Sequence, residues 1–152
     1  MFAGFLLFEG KRKSEEWIGA VLAAPAISIV PLRSDVNGVL ETARADKRIG
    51  KSLEAHVALF AKDEDAKAAL EAVKAIDLPE IFIVSNVSTD EAAPAEGAVV
   101  EAGVSYPGLT VAVSEAKGTK CPRCWMHSET PDEHGLCPRC AAVCKALNVV
   151  FE

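Results

Sequence analysis

No apolar run in this chain reaches the ~18–20 residues needed to span a bilayer, which excludes a membrane-crossing helix. Nothing at the N-terminus looks like a secretory leader either. Met1-Phe2-Ala3-Gly4-Phe5-Leu6-Leu7-Phe8 is apolar, but no basic region precedes it and Glu9 ends it. Positive charge is in deficit: 16 Lys and Arg stand against 22 Asp and Glu, a formal net charge of −6. Strong unaided nucleic-acid binding depends on neutralising phosphates, so any such contact has to come from local basic clusters. Nucleotide loops are lacking as well. Ile49-Gly50-Lys51-Ser52 resembles the end of a phosphate-binding loop, yet the position where that loop needs its first glycine holds Ala45. This segment also leads from helix to strand, the reverse of such a loop. No glycine-rich dinucleotide fingerprint occurs, and nothing brings a nucleophile, a base and an orienting group together.

What is present is a doubled cysteine pair. Cys121-Pro122-Arg123-Cys124 and Cys137-Pro138-Arg139-Cys140 stand with residues 125–136 between them, and no other internal repeat occurs. One C-x-x-C lets two sulfurs approach one point from a tight turn. Two of them supply the complete shell of a tetrahedral Zn²⁺, with Cys121, Cys124, Cys137 and Cys140 as ligands. Disulfides are a rival reading, but they suit small secreted chains. Iron in a rubredoxin-like site is another; there a glycine usually follows each pair, and here Trp125 and Ala141 follow. Four protein sulfurs leave no open position for water, so a zinc ion here holds structure rather than hydrolysing a substrate. Four thiolates and one dication take the formal net charge from −6 to about −8. His127 and His134 lie inside the module and are candidate replacements for a cysteine, though four sulfurs already complete the shell. Cys144 is left over, and reads as a small buried apolar residue or a spare ligand. Five cysteines without a leader point to a reducing cytoplasm.

Ser14-Glu15-Glu16 before Trp17-Ile18 signals a helix start, with Trp17, Val21 and Leu22 on one face and Pro25 as an interruption beyond them. Pro31 suits the first position of a helix over 31–48, in which Leu32, Val36, Val39, Leu40 and Ala43 form an apolar stripe. Its last turn is basic, and Gly50 is the expected stop. Residues 53–60 read as a strand, with Leu53, Ala55, Val57 and Leu59 on one face and Glu54 and a solvated His56 on the other. Asp63-Glu64-Asp65 opens a second helix with Ala66, Ala69, Leu70 and Val73 inward. Ile81-Phe82-Ile83-Val84 has no polar break and predicts a central strand. The acidic, Ala/Pro-rich stretch 90–97 is a loop. Residues 99–104 and 109–113 make two further strands, joined through Ser105-Tyr106-Pro107-Gly108.

This order predicts an α+β fold: N-terminal helices, a small mixed or antiparallel sheet with one packed helix, and a C-terminal four-cysteine zinc knuckle. The matching division is a helical segment over 1–51, a small α+β domain over 52–116, and the knuckle with its tail over 117–152. Three basic clusters occur, and each taken alone is a solvated surface. They are Lys11-Arg12-Lys13; Arg44, Lys47, Arg48 and Lys51; and Lys117, Lys120, Arg123, Arg139 and Lys145.

Two segments taken together carry a resemblance. One is Arg33-x-x-Val36-Asn37-x-x-Leu40-Glu41-x-x-Arg44-x-x-Lys47-x-Ile49-Gly50-x-Ser52-Leu53-Glu54-Ala55. The other is Lys120-Cys121-Pro122-Arg123-Cys124-Trp125, followed by Leu136-Cys137-Pro138-Arg139-Cys140. The pair, in this order, resembles the C-terminal region of bacterial-type isoleucyl-tRNA synthetase. The resemblance implies that residues 1–51 are the end of an anticodon-binding bundle, followed by a small α+β domain that closes in a four-cysteine zinc module. It implies tRNA as partner, by extension tRNA(Ile), with the synthetase body in cis or in trans. In that family the C-terminal zinc is associated with aminoacylation of tRNA, not with amino-acid activation. Lys120, Arg123, Trp125 and Arg139 are the expected RNA contacts, since arginine bonds phosphate and an indole stacks on a base or sugar. Trp125 as an apolar lid over the metal is the competing role. The family's catalytic and editing domains are absent, so no catalytic residue is expected in this chain. The alternatives are a free-standing zinc module that contacts protein or other nucleic acid, and an iron electron carrier.

Overall fold

The computed structural model describes residues 29–149. The helix start at 14–22 and the basic cluster at 11–13 lie outside them. Helix α1 (Ile29–Ala45) buries Leu32, Val36, Val39, Leu40 and Ala43, the stripe read from the sequence. Pro31 sits in the first turn, where its missing N–H removes no helical bond. The chain leaves the helix earlier than the basic run suggests. Lys47 is left-handed, with φ 57. The Lys47 N–H donates to the Arg44 carbonyl at 3.0 Å and the Arg48 N–H to the Ala43 carbonyl at 2.9 Å. These are the two bonds of a Schellman stop. Lys47, not Gly50, therefore ends α1, and Arg48 and Lys51 stand beyond it.

A short 3-10 turn (Ser52–Glu54) leads into β1 (Ala55–Ala61), followed by α2 (Glu64–Val73), α3 (Leu78–Phe82), β2 (Asn86–Ser88), β3 (Val99–Ala102) and β4 (Leu109–Glu115). The sheet order is β2-β1-β4-β3. β1 and β2 run parallel, with Val57 opposite Val87. β1 and β4 are antiparallel from Ala55 opposite Glu115 to Ala61 opposite Leu109, and β3 and β4 pair antiparallel. The sheet is mixed, as expected. Asp63 caps α2 by accepting the Ala66 N–H at 2.7 Å, which fixes Ala66, Leu70 and Val73 towards the core. Both α1 and α2 pack on the sheet, α1 against β4 and β3 and α2 against β1. Val57, Leu59, Val111 and Val113 meet them from the strands.

The expected strand over 81–84 is a correction. Those residues finish a helix. Asp77 caps α3, with its carboxylate accepting the Glu80 N–H, and Pro79 falls in the first turn where its fixed φ suits a helix. Ile83 is left-handed, with φ 58 and ψ 51, and the Val84 N–H returns to the Pro79 carbonyl at 3.1 Å. Phe82 and Val84 are buried while Ile83 is 53% exposed. A continuous apolar run has no period, so helix and strand look alike in it, and the cap and the proline decide.

One buried carboxylate ties α1 to the β3–β4 turn. Asp35, 8% exposed, accepts the Ser105 N–H at 3.0 Å, the Ser105 hydroxyl at 3.0 Å and the Tyr106 N–H at 3.2 Å. A Cβ at Gly103 would lie 2.8 Å from that carboxylate and 2.6 Å from the Tyr106 carbonyl oxygen, so the turn closes only around glycine. On the other sheet face, Ala58 and Ala112 are buried beneath the 89–98 loop, whose Ala95 and Ala98 line the same cavity.

The chain then forms a separate small module. β5 (Thr119–Lys120) and β6 (His127–Ser128) pair as a two-stranded ribbon, and α4 (Pro138–Ala146) follows. Its buried residues, Cys121, Leu136, Cys137, Cys140 and Cys144, form a cluster distinct from the main core. Gly118 links the two parts with φ 95; a Cβ there would lie 2.2 Å from the Ser128 carbonyl oxygen.

Candidate metal centre and its surroundings

The two cysteine pairs are presented differently. Cys121 and Cys124 sit in the β5–β6 turn, closed by the Trp125 N–H to the Cys121 carbonyl and the Cys121 N–H to the Met126 carbonyl, both 2.9 Å. Trp125 is left-handed there, with φ 67. It holds the conformation that glycine adopts without penalty, so the missing glycine does not separate a zinc from an iron knuckle. Cys137 and Cys140 open α4, with Cys137 at the N-cap and Pro138 behind it, and a three-residue helical spacing puts both sulfurs on one side. Between the pairs, the Asp132 carboxylate accepts the His134 N–H at 3.0 Å and the Leu136 N–H at 2.7 Å, returning the chain to α4. The four Sγ atoms all lie within 4.8 Å of one another, with Cys124 and Cys137 at 3.7 Å. Zn–S bonds of about 2.3 Å in a tetrahedron require sulfurs roughly 3.8 Å apart. The donor set therefore fits one tetrahedral dication. Among the described residues His127, His134 and Cys144 do not join this group; Cys144 is 4% exposed and packs in the module's apolar cluster.

The thiols do not ionise alike. Burial opposes ionisation of Cys121, but the backbone N–H groups of Cys124, Cys137 and Arg123 outweigh it and bring its pKa down to about 6. Burial pushes Cys140 up to about 12, helped by the neighbouring thiols Cys137, Cys124 and Cys121. Burial also raises Cys124. A metal must displace the protons of Cys124 and Cys140 at neutral pH, since burial holds both thiols above their ordinary value. Binding of Zn²⁺ at pH 7.5 is thus expected to release at least about two protons per ion. The slope of log affinity against pH should be about two or more between pH 6 and 8. Calorimetric titration in buffers of different ionisation enthalpy measures this, and a pH-independent affinity would contradict it.

Polar contacts seat the module on the sheet domain. The Ser85 hydroxyl, in a side chain 5% exposed, donates to the Leu53 carbonyl and accepts the His127 N–H at 2.6 Å. Lys120 Nζ lies 3.7 Å from Glu54 Oε1. Lys51 Nζ stands 5.8 Å from the Trp125 ring centroid, within cation–π range. Arg139 reaches Glu80 at 4.0 Å. The expected RNA contacts thus divide. Lys120 and Trp125, the latter 56% exposed, adjoin the turn after α1, where Arg44, Lys47 and Arg48 line a cleft of about 370 Å³. Arg139 lies on the α3 side, and Arg123 is exposed. The phosphate-loop look-alike is satisfied internally: the Gly50 and Lys51 N–H groups donate to Glu54 at 3.2 and 3.1 Å. The Lys51 N–H bond is the largest reason that the Glu54 carboxyl is held below its ordinary value.

Isoleucine–tRNA ligases from several bacteria match this chain. That of Desulforudis audaxviator is 38% identical over 146 residues, 94% of this chain and 15% of the relative. That of Thermotoga petrophila is 40% identical over 136 residues, 86% of this chain and 14% of the relative. That of Bacillus licheniformis is 41% identical over 125 residues, 78% and 13%. The chain is similar to one part of isoleucine–tRNA ligase. It spans about one seventh of the length of these curated relatives. No family model matches it. The resemblance to the C-terminal region of isoleucyl-tRNA synthetase is borne out. The two segments that carry it lie far apart in the sequence and meet in the fold, through Lys51 with Trp125 and Glu54 with Lys120.

Some groups of the ligase-like chain had no sequence signal. Ser85 follows an apolar run and looks like any loop serine. His56 is not solvated as expected; its Nε2 lies 2.8 Å from Ser88 Oγ and 3.0 Å from Glu91 Oε1, and Ser88 itself donates to Glu91 at 2.8 Å. Both partners share one ring nitrogen, so the three form a closed triangle that fastens the 89–98 loop, not a relay from acid through imidazole to hydroxyl.

Proposed function

We propose that this chain is the tRNA-contacting C-terminal part of an isoleucine–tRNA ligase. It holds one structural Zn²⁺ on Cys121, Cys124, Cys137 and Cys140 and supports aminoacylation of tRNA(Ile) in the cytoplasm, without a catalytic residue of its own. The observation that carries the reading is the closed four-sulfur cluster beside an exposed indole and a basic helix end, in a chain similar to part of that ligase. Four sulfurs saturate a tetrahedral zinc, so the ion supplies rigidity rather than a Lewis-acid site. What it makes rigid is a turn carrying Lys120, Arg123 and Trp125, with Arg139 on the helix behind. Cations placed this way bond phosphates, and an indole held at a fixed angle gives a base a stacking surface with little ordering cost. The acidic remainder of the chain confines RNA to these places.

Anisotropy titration of the zinc-loaded chain with a tRNA(Ile) transcript tests this. Affinity should fall linearly in log salt, and Trp125→Ala should weaken binding about tenfold if the ring stacks on a base. Affinity no better than that of an unrelated acidic protein at low salt would sink the reading. The net charge of −6 is what favours the second reading, a free-standing zinc module that binds protein; pull-downs recovering neither ligase nor tRNA would support it.

A further inference from the structure

A groove of about 550 Å³ runs between the cysteine module and the outer edge of the sheet. Strand β2 forms that edge. Asn86, Lys117, Met126, His127 and Arg139 are among the lining residues. The volume falls in the range of roughly 300–1,000 Å³ typical of small-molecule sites. Trp125 does not line it.

His127 is the unusual member. Its backbone is pinned by Ser85, yet both ring nitrogens are closed to solvent and have no hydrogen-bond partner among the described residues. Buried polar nitrogens left this way are costly, and in folded proteins they are rare outside functional sites or places that hold a water or ion. A neutral imidazole carries one donor and one acceptor, and the Asn86 amide carries the same pair. Adjacent donors and acceptors are what the edge of a nucleobase presents. Lys117 and Arg139 add two cations to the same walls, with Glu129 as the acid among them. A duplex hides base edges of this kind; a single strand can turn one out.

We infer that this groove takes one unstacked nucleobase from a single-stranded RNA segment, with His127 and Asn86 bonding its edge and Lys117 and Arg139 beside its phosphate. The inference rests on the proposed RNA contact and adds a base-reading site to it. His127 lines the groove, and a base bound there would supply the partner that the described residues do not.

The test is anisotropy titration of the zinc-loaded, full-length chain with a fluorescein-labelled tRNA(Ile) transcript, comparing wild type with His127→Phe and Asn86→Ala. His127→Phe keeps an aromatic ring and removes both nitrogens, so zinc content and melting temperature should hold or rise. Each variant should bind about tenfold more weakly, with an unchanged salt slope because no phosphate contact is lost. Lys117→Ala should flatten that slope instead. Variants that keep wild-type affinity, zinc and melting temperature overturn the groove assignment and leave the RNA reading intact. A wild-type chain that does not bind the transcript removes both. Should His127→Phe lose zinc, Asn86→Ala decides alone.

Discussion

Cys124→Ser should release the metal and leave residues 117–149 without fixed order, while the four-stranded sheet survives. The reason is how little the module keeps once the metal goes. Its buried cluster consists of Leu136 and the cysteines Cys121, Cys137, Cys140 and Cys144, with Cys124 and Ala141 packed against it. That is too little apolar surface to offset ordering more than thirty residues at ~1–2 kcal/mol of backbone entropy each. A structural zinc contributes on the order of 10 kcal/mol to such a module. The sheet has its own core of residues from α1 through β4, none of them in the module. Metal analysis, limited proteolysis and amide exchange should therefore show lost zinc, cleavage confined to the C-terminal part, and a protected sheet. Unchanged zinc and unchanged protease resistance would refute this, and a single cooperative collapse of both parts would show that the two clusters are one.

The module was legible in the sequence because its chemistry is local. Four thiols at two fixed spacings specify a tetrahedron whatever the surrounding fold. The face of α1 was equally plain, since Leu32, Val36, Val39, Leu40 and Ala43 repeat at helical spacing and all are buried. Long-range polar contacts were not legible. Asp35 lies among exposed and apolar helix residues, and only the packing of α1 on β3 and β4 brings Ser105 and Tyr106 to it. Ser85 gains its role only because β2 brings it to the Leu53 carbonyl and the module brings it the His127 N–H. Helix ends were displaced for a related reason. Lys47 carries the left-handed penalty that Gly50 would have avoided, and the two returning hydrogen bonds of the Schellman stop offset it.

The run from Ile81 to Val84 gives the sharpest mutational contrast. Phe82→Ala should destabilise the sheet domain by about 3–5 kcal/mol, because it deletes one of the largest fully buried side chains and leaves a cavity. For a domain of this size that is a fall in melting temperature of about 12–40 °C. Zinc should stay bound, since no ligand lies in the main core, so the pattern is the inverse of Cys124→Ser. Ile83→Asn, one residue on, should cost nothing and raise stability by up to about 1 kcal/mol. Isoleucine is unfavourable in the left-handed region and this one is half exposed, whereas asparagine tolerates the conformation. A central strand would predict a different pair of results. Phe82 and Ile83 would then point to opposite buried faces, and a polar residue at position 83 would cost as much as the truncation at 82. Thermal unfolding of the two variants with zinc present separates the helix from the strand, and comparable losses from both would restore the strand.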